Sequence, residues 1–495
     1  MTPRHYLLAA ALVLAAMLRL PGIAWGLPPV TEQVRQSDLR SSYAFDEDDI
    51  LSGAAKASVS RLDFDPYEYH WGTLHGELTL IALDTAQALG GFQTPWRLAY
   101  YNLLGSDFTR VYIAGRLVAV AMALLTVFLL FLFESWRGAF AGFLIAVSPS
   151  HMLQSDQVRV DVTMTAMLTL MLLLATKSAR WVFIGIAAGL SIAAKYSAIS
   201  AVVAIALTAL WRKGFTWQRV AQTIGGAALG FIAGSPYILV KAPAYYDEIN
   251  RYLTANAHVP SNFLPSPVML FLLHAANIAR FSLGPIAFVL ALIGLFWVLR
   301  RRYESDWLIV AAIAGYAVIL LPLHWPLIRY DLPLTMMLGL CAGIALERLP
   351  ERWRLPVAAA ALVMPLLGCV AQIHYMRSPH PGNLMLQRIL EVAPPGSPIS
   401  RLFPEEPPLD RKVYPMGPDL FLGGVTRNPP PWILTSNLAE GQYSPAVLAL
   451  IASSYDEVAR VESRPFLAWA TLGETRSPHD WKYTHCNLVL YRRRQ

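Results

Sequence analysis

Hydrophobic residues in this chain are grouped into long runs that recur over its first three quarters, with short polar connections between them. A helix needs roughly 20 apolar residues to cross the hydrocarbon of a bilayer. Runs near this length predict about eleven membrane-spanning helices. The predicted spans are residues 6–26, 111–133, 138–152, 161–176, 181–194, 196–211, 220–240, 283–299, 307–322, 331–346 and 355–373.

The composition agrees with an integral membrane protein, because 55% of the residues are hydrophobic and only 15% are charged. The net charge of +7 comes mostly from the basic connections between spans, so it predicts no nucleic-acid partner. Cys341 and Cys369 lie in predicted spans and Cys486 stands alone, a pattern that fits no disulfide framework. The sequence has no zinc-ligand spacing either.

Basic residues are concentrated in alternate connections, which marks those connections as cytoplasmic. They are Arg4, Arg137, Lys177, Arg180, Arg212, Lys213, Arg219, Arg300, Arg301, Arg302, Arg348, Arg352 and Arg354. This distribution predicts a multi-pass protein with a cytoplasmic N-terminus and an external C-terminal region. Residues 1–26 have the basic start and apolar run of a secretory signal. However, Arg19 interrupts the run and no Ala-x-Ala site follows, so a retained anchor is predicted.

Two long connections fall on the external side of this topology, where binding and catalytic residues are expected. The first covers residues 27–110 and contains the acidic stretch YAFDEDDILSGAAK. Its apolar run at 78–89 is too short to span the bilayer and predicts an interfacial helix. The second covers residues 241–281 and predicts a surface loop followed by another interfacial helix.

The composition changes after the last predicted span, which divides the chain into a membrane domain, residues 1–376, and a small external α/β domain, residues 377–495. In the second domain the short runs PWILTSN and NLVLYRR predict β-strands. The segment SPAVLALIASSYDEVARV predicts an amphipathic helix.

Four consecutive carboxylates, DEDD at 46–49, begin an amphipathic helix predicted from the spacing of Ile50, Leu51 and Ala54. One interpretation is helix capping, because acidic residues in the first turn satisfy free N–H groups and the helix dipole. One or two carboxylates would suffice for a cap, however. Adjacent like charges also raise at least one pKa, as a general base or acid requires.

Basic residues also occur at the predicted external ends of the spans, where the charge distribution rule does not expect them. They are Arg110, Arg116, Arg159, Lys195, Arg280 and Arg329, and Asp161 lies beside one of them. Each cation alone could extend to anionic headgroups. Ionisable residues near membrane depth are nevertheless costly and usually functional. Together these cations predict a pocket for a phosphate at the membrane surface.

An ordered set of motifs covers residues 10 to about 345: LRLPGIAWGLP, DED, GRLVAV, SPSHMLQSDQVRVDVTMT, AAKYSA, GSPYIL and RYDLP. None of these pieces is specific alone, but their order resembles the GT-C membrane glycosyltransferases, in the protein O-mannosyltransferase and aminoarabinose transferase branch. The resemblance implies an α-helical polytopic fold with interfacial helices in the first external loop. It also implies a location in the bacterial inner membrane, with the C-terminal domain in the periplasm.

The resemblance assigns roles to individual residues. It implies that the catalytic carboxylate is Asp46, with Glu47 beside it, and that Asp161 is a further catalytic residue. It implies donor-phosphate binding by Arg116, Arg159, Lys195 and Arg329. Tyr330, in the RYDLP motif, is a further candidate for substrate binding.

One segment departs from the family pattern. Members commonly have a proline-containing stretch where this chain has YHWGTLHGEL, so His70, Trp71 and His75 stand in place of the expected prolines. A single histidine in such a place is more often structural than catalytic. Two histidines near a carboxylate site are candidates for substrate binding, and donor and acceptor preference could differ accordingly.

The predicted reaction is inverting transfer of a sugar from a polyprenyl-phosphate donor to a glycan, lipid or protein acceptor outside the membrane. Fixed cations can neutralise the leaving phosphate, so no cofactor is required. The acidic cluster at 46–49 could still bind a hard divalent cation. The alternatives are a transporter or flippase for lipid-linked sugars, and a non-catalytic membrane scaffold. No paired halves that would indicate a transporter are evident.

Overall fold

A computed structural model describes residues 3–27, 46–67, 69, 71–102, 105–257, 266–301, 304–320, 326–401, 409, 413–418, 420, 424–437, 443–463, 479–482 and 485–494. Helices dominate the described part of the chain, and a small β-sheet lies near the C-terminus.

Seventeen α-helices are described up to residue 376. They are α1 (Pro3–Arg19), α2 (Glu47–Lys56), α3 (Leu74–Ala88), α4 (Trp96–Asn102), α5 (Gly105–Phe131), α6 (Ser135–Ala146), α7 (Pro149–Ser155), α8 (Val160–Thr176), α9 (Trp181–Ala194), α10 (Ile199–Lys213), α11 (Trp217–Gly234), α12 (Ile238–Ala257), α13 (Pro267–Asn277), α14 (Pro285–Arg301), α15 (Glu304–Leu320), α16 (Leu332–Arg348) and α17 (Glu351–Met376).

Each of the eleven predicted spans falls on a helix of this series, which confirms a helical membrane fold. By length and composition, four helices in the described part of the chain are able to cross a membrane. The number rises to six if two bent pairs each count as one span, α7 with α8 (118°) and α11 with α12 (84°). The count is lower than the predicted eleven because several apolar helices, such as α9 and α15, have fewer than 18 residues.

Glycines allow α9 and α11 to pack backbone against backbone. A Cβ on Gly185 of α9 would lie 2.3 Å from the carbonyl oxygen of Thr223, and one on Gly230 of α11 would lie 2.2 Å from that of Ile186. Both distances are shorter than real carbon–oxygen contacts, so any side chain here would push the helices apart. Small residues repeated at four-residue intervals are typical of close helix pairs in membranes.

One end of the helix bundle is tied together by ion pairs and hydrogen bonds. The Arg4 guanidinium donates to backbone carbonyls at the end of α5. Arg137 at the start of α6 lies 3.0 Å from Asp306 at the start of α15. Glu347, in the last turn of α16, accepts from the Arg137 backbone N–H at 3.0 Å. This is the end that the basic residues predict to be cytoplasmic, and its orientation in the membrane stays a prediction.

The first long connection forms a helical layer at the opposite end of the bundle. Helix α2 confirms the helix predicted for the acidic stretch, and α3 corresponds to the interfacial helix predicted at 78–89. Leu51 of α2, Trp96 of α4 and Tyr112 of α5 belong to one buried hydrophobic cluster. This cluster fixes the start of α2 against the bundle. The second long connection supplies α12 and α13, and α12 is kinked at Lys241.

The C-terminal region contains helix α18 (Pro381–Val392) and a four-stranded sheet. Its further elements are β1 (Ile399–Arg401), α19 (Gly424–Arg427), β2 (Trp432–Ser436), α20 (Pro445–Ser454), β3 (Tyr455–Val461), α21 (His479–Lys482) and β4 (Leu488–Arg493). The strand order is β1-β2-β4-β3, with β1 parallel to β2 and the other pairs antiparallel. Buried residues of α18, including Leu386 and Ile389, pack on this sheet.

The structure confirms both strands predicted in this region, which are β2 and β4. It corrects the amphipathic helix predicted for residues 444–461. That helix ends at Ser454, and the remaining residues form β3, which pairs with β4. The pairing outweighs helical periodicity because β4 offers a long antiparallel partner. The domain division near residue 376 stays a prediction, although α17 ends at Met376.

Candidate functional site

A cavity of ≈330 Å³ opens at the end of the bundle opposite to the Arg4 contacts. It lies where the starts of α2 and α8, the end of α9 and the turn before α16 come together, with α12 on one side. The cavity is lined by Asp46, Ile50, Trp71, Arg159, Val160, Asp161, Lys195, Glu248, Arg251, Arg329 and Tyr330. Six of the ten predicted site residues therefore meet in a single space.

Asp46 directs its carboxylate towards arginines and does not cap its own helix. It precedes α2 with a left-handed backbone (φ 76°) and makes no capping side-chain hydrogen bond. Aspartate is among the few residues that adopt this backbone conformation readily. Its Oδ2 atom accepts from the Nη1 groups of both Arg159 and Arg329. The structure thus contradicts the capping interpretation for Asp46.

The arginines determine the charge state of Asp46. Burial alone would raise its pKa, but the positive charges of Arg329 and Arg159 lower the pKa to about 2. The sequence predicts that the cluster raises at least one pKa, and at Asp46 the shift has the opposite direction. Two guanidinium groups in direct contact outweigh like charges that point elsewhere. Asp46 is an ionised, strongly paired carboxylate in this structure.

A second ion pair lies on the neighbouring wall of the cavity. Lys195, at the end of α9, places its Nζ atom 2.7 Å from Oδ1 of Asp161 in the first turn of α8. The same ammonium lies 4.7 Å from the ring centroid of Tyr330, within cation–π range. Tyr330 also has the Arg329 guanidinium at 5.5 Å from its ring. Two cations of the cavity therefore lie within about 6 Å of the same tyrosine ring.

Arg159 has a buried donor that remains available. Its Nε atom donates to Oε1 of Gln157 at 2.9 Å, and one Nη group contacts Asp46. The other, Nη2, is buried and finds no hydrogen-bond partner among the described residues. A buried guanidinium N–H without a partner is costly, unless an anion occupies the site. Four cationic and three anionic side chains line the cavity, so its lining carries a net positive charge.

Glu47 and Arg116 form a separate, fully buried pair, outside the lining of the cavity. Arg116 donates from Nε and Nη2 to the two Glu47 oxygens at 2.8 and 2.7 Å. Glu47 also accepts from the Val158 backbone N–H at 2.8 Å, and Arg116 donates to the carbonyl oxygen of Trp25 at 2.7 Å. This differs from the predicted catalytic and phosphate-binding roles, because both side chains are saturated and inaccessible. We expect them to fix the start of α2.

Of the two histidines in the segment that departs from the family pattern, the structure describes only His75. His70 lies outside the described residues. His75 is fully buried between α3 and α8, where its Nδ1 atom lies 2.7 Å from Oγ1 of Thr163. Burial lowers the pKa of His75 to about 4, so the ring is neutral near pH 7. We therefore expect a packing role for His75, unlike the predicted one.

Two other predicted cations lie away from the cavity. Arg110 pairs with Asp107 at 3.1 Å on the surface of α5. Arg280 lies 5.5 Å from the ring of Phe281, in a short π-helical segment after α13. The six external cations therefore do not form one pocket, and three of them, Arg159, Lys195 and Arg329, line the cavity.

Sequence reasoning missed Glu248 and Arg251, which belong to α12 and form a mutual ion pair at the cavity. Their i,i+3 spacing in an external loop was a signal, but surface ion pairs of this kind are common and contribute little. Nothing local in the sequence indicates that α12 brings these two side chains to the cavity that Asp46 lines.

The acidic cluster does not fit a metal ion. Asp46 and Glu47 accept from arginines, and Asp48 accepts from the Tyr112 hydroxyl. Among the described residues, no group of three or more histidine, cysteine, aspartate or glutamate side chains is arranged to hold a metal. The positive side chains around Asp46 occupy the positions from which a hard cation would approach. The expectation that no cofactor is required stays a prediction.

This chain is similar to known proteins in sequence over part of its length and in fold. Residues 92–240 match the family model of dolichyl-phosphate-mannose-protein mannosyltransferases. The apo oligosaccharyltransferase of Archaeoglobus fulgidus is 12% identical with a TM-score of 0.50, covering 88% of this chain and 70% of that chain. ArnT from Cupriavidus metallidurans bound to undecaprenyl phosphate is 15% identical with a TM-score of 0.48, covering 98% of this chain and 97% of that chain. The sequence has no significant match among curated proteins.

The fold and the cavity define a multi-pass membrane protein with the ionised groups of its site collected at one end of a helical bundle. The fold is that of the GT-C membrane glycosyltransferases, which confirms the resemblance seen in the sequence. The family match begins just before α4 and ends at the first residues of α12, and this segment supplies Arg159, Asp161 and Lys195 to the cavity.

Proposed function

We propose that this protein is an inverting glycosyltransferase that moves a sugar from a polyprenyl-phosphate donor to an acceptor hydroxyl. The observation that carries the proposal is the contact of the Asp46 carboxylate with Arg159 and Arg329 in a cavity with a net positive lining. A carboxylate beside fixed cations can serve both halves of the reaction, which are deprotonation of the acceptor and stabilisation of the leaving phosphate. The match to mannosyltransferases that use dolichyl phosphate mannose supports this reading.

Three cations are placed to bind the donor phosphate. Arg159 offers its unpartnered Nη2 group, and arginine binds phosphate through paired N–H donors. Lys195 and Arg329 face the same space from other elements. When a phosphate ester leaves, its negative charge grows, and preorganised cations lower the energy of that step. Asp161 would act by holding the Lys195 ammonium in place.

An apolar cavity of ≈120 Å³ offers space for a lipid chain. It is lined almost entirely by aliphatic and aromatic side chains of α13, α14, α15 and α16. His274 lines this cavity and lies 2.6 Å from Asp331, two residues after Arg329. The turn Ile328–Asp331 therefore lies between the charged cavity and the apolar one. A ligand with a phosphate head and an isoprenoid tail fits this sequence of surroundings.

Binding of the donor would convert Asp46 into a stronger base. A carboxylate with a pKa of about 2 is a poor acceptor for the proton of a hydroxyl group. A phosphate bound to Arg159 and Arg329 neutralises the charges that lower this pKa. The pKa of Asp46 then rises only when the donor is present. Asp46 therefore becomes an effective base for the acceptor hydroxyl only after the glycosyl donor has bound.

The transfer step balances as follows. The acceptor hydroxyl gives its proton to Asp46 while its oxygen forms a bond to the anomeric carbon. The bond from that carbon to the phosphate oxygen breaks, and the electron pair stays on the phosphate. Attack opposite to the leaving group inverts the anomeric configuration. The acceptor can be a glycan, a lipid or a protein that carries a hydroxyl group, and the proposed setting is the periplasmic face of a bacterial inner membrane.

The test uses cells that lack the gene and are complemented with either wild-type protein or Asp46→Asn. Mass spectrometry of envelope glycans is expected to show a sugar that disappears in the deletion, returns with wild type and stays absent with Asp46→Asn. The matched control is Asp456→Asn, since Asp456 is an exposed carboxylate that pairs with Arg494 on the C-terminal sheet. Full restoration by Asp46→Asn would favour a transporter or a scaffold over an enzyme.

A further inference from the structure

A carboxylate of the C-terminal region reaches into the charged end of the membrane domain. Asp480 lies in the short helix α21 and is only 1% exposed. Its Oδ1 atom accepts from the Ile328 backbone N–H at 2.9 Å. Its Oδ2 atom accepts from the Arg329 backbone N–H, also at 2.9 Å. Both oxygens are therefore used to hold the turn that carries Arg329.

Aromatic packing fixes α21 in this position. The Trp481 ring lies 4.8 Å from that of Phe281, measured between centroids, and stacks on His485 at 5.1 Å. Trp481, Phe281 and Ile328 belong to one buried cluster, together with residues of α7 and α17. The hydrogen bonds of Asp480 are thus accompanied by a buried aromatic contact between the C-terminal region and the helical bundle.

The arrangement acts on Arg329 through its backbone. The two backbone N–H groups that donate to the Asp480 carboxyl group fix the position and direction of the turn Ile328–Asp331. The Arg329 side chain leaves this turn to contact Asp46. A shift of about 1 Å in such a group is enough to lower the rate of a reaction substantially. Asp480 therefore holds the backbone from which the Arg329 side chain extends.

We propose that Asp480 is a positioning residue for the donor site, by which the C-terminal region holds Arg329 in reach of both Asp46 and the donor phosphate. The inference rests on the proposed function for the identity of the ligand. It goes beyond that function because it makes residues near the C-terminus part of the site. A purely structural role for Asp480 would stabilise the fold without a specific link to Arg329.

The first experiment is a double-mutant cycle on phosphate-lipid affinity, with purified full-length protein and a C55 polyprenyl phosphate in detergent. Asp480→Asn is expected to weaken binding roughly tenfold. In an Arg329→Ala background the same change is expected to have almost no further effect, because the group it positions is absent. Asp456→Asn is the matched control and is expected to bind as wild type does. Additive losses, or wild-type affinity of Asp480→Asn, would overturn the inference.

The second experiment does not depend on the ligand. Unfolding is measured for wild type, Asp46→Asn, Asp480→Asn and the double variant, in the absence of lipid phosphate. If Asp480 holds Arg329 against Asp46, the two substitutions are expected to be non-additive. Additive effects would refute the positioning role. If wild type fails to bind the lipid phosphate but this coupling is present, the proposed donor is wrong and the role of Asp480 stands.

Discussion

The surroundings of Asp46 and Glu47 differ sharply, although the two carboxylates are adjacent in the chain. Asp46 lies at a cavity, 22% of its side chain is exposed, and two arginines contact one of its oxygens. Glu47 is fully buried, and the Arg116 guanidinium and a backbone N–H satisfy its oxygens. A ligand in the cavity could bind to the arginines that contact Asp46. The partners of Glu47 are buried and inaccessible to a ligand.

The difference separates a reactive site from the framework that holds it. A buried pair with complete hydrogen bonding is costly to break, but it offers no group to a substrate. The pair of Asp46 and Arg159 lies at a cavity, and the Nη2 group of Arg159 has no hydrogen-bond partner there. A ligand can therefore bind to Arg159 in this pair. The same chemical change should therefore act mainly on activity at Asp46, and on stability without a direct role in the chemistry at Glu47.

The largest effect is expected on catalysis. Asp46→Asn in the purified enzyme should lower the transfer rate by roughly 10²–10⁴-fold, the usual contribution of a general base. The asparagine keeps the shape of the side chain, so binding of a polyprenyl phosphate should be retained. Rate and affinity are measured on the same preparation. A rate within a few-fold of wild type would remove Asp46 from the chemistry.

The matched change at the neighbouring residue should act on the fold. Glu47→Gln leaves the buried Arg116 charge without a full partner, which should lower the free energy of unfolding by about 3 kcal/mol. The measurement is denaturation in detergent. Glu391→Gln is the control, because Glu391 forms an exposed pair with Arg388 and should change stability by less than about 0.5 kcal/mol. Equal effects of the two substitutions would contradict the framework role.

Substitution of Lys195 tests whether the cations that line the cavity bind the donor. Lys195→Met should weaken the affinity for a polyprenyl phosphate by roughly 10- to 100-fold, as expected when a charged hydrogen-bond donor is lost. Lys213→Met is the control at the other end of the bundle, where Lys213 contacts the Ala175 carbonyl oxygen. If both variants bound equally well, Lys195 would have no part in donor binding.

The smallest effect is expected on the pH dependence of the free energy of unfolding. Because its pKa is lowered to about 2 in the folded state, Asp46 stabilises the protein above about pH 4. This contribution is lost as the pH falls from about 4 through 2, and amounts to about 2 kcal/mol. Asp46→Asn should lack this part of the pH dependence. The comparison is the free energy of unfolding of both proteins at pH 6 and pH 3, and parallel losses would mean that the arginines do not hold Asp46 in solution.

Much of the fold was predictable because hydrophobic runs report directly on helices in a bilayer. Helix α5 can be predicted from the length and composition of its hydrophobic run alone. The strand β3 could not be predicted in this way. Its sequence, YDEVARV, continues the helical pattern of α20, and only its pairing with β4 decides the outcome. Local patterns fail where a distant partner supplies the decisive hydrogen bonds.

The residue types that form the site could be predicted from the sequence, but the separate roles of Asp46 and Glu47 could not. Cations at helix ends and the acidic stretch indicated that Asp46, Arg159 and Lys195 would meet, because each residue type alone is costly near a membrane. The separation of Asp46 from Glu47 depends on the left-handed backbone at Asp46, which turns its side chain towards the cavity. The spacing of residues in the sequence does not predict the positive φ angle of Asp46. The same holds for Asp480, whose partners lie about 150 positions earlier.

The span of 283 positions between Asp46 and Arg329 also orders events during synthesis. A ribosome that adds roughly 5–20 residues per second needs about 15–60 s to make the intervening chain. During that interval Asp46 is already part of the chain, while Arg329, one of its two arginine partners, has yet to be translated. The contact between Asp46 and Arg329 can therefore form only after about two thirds of the chain has been made, and a nascent chain stalled before Arg329 would lack it.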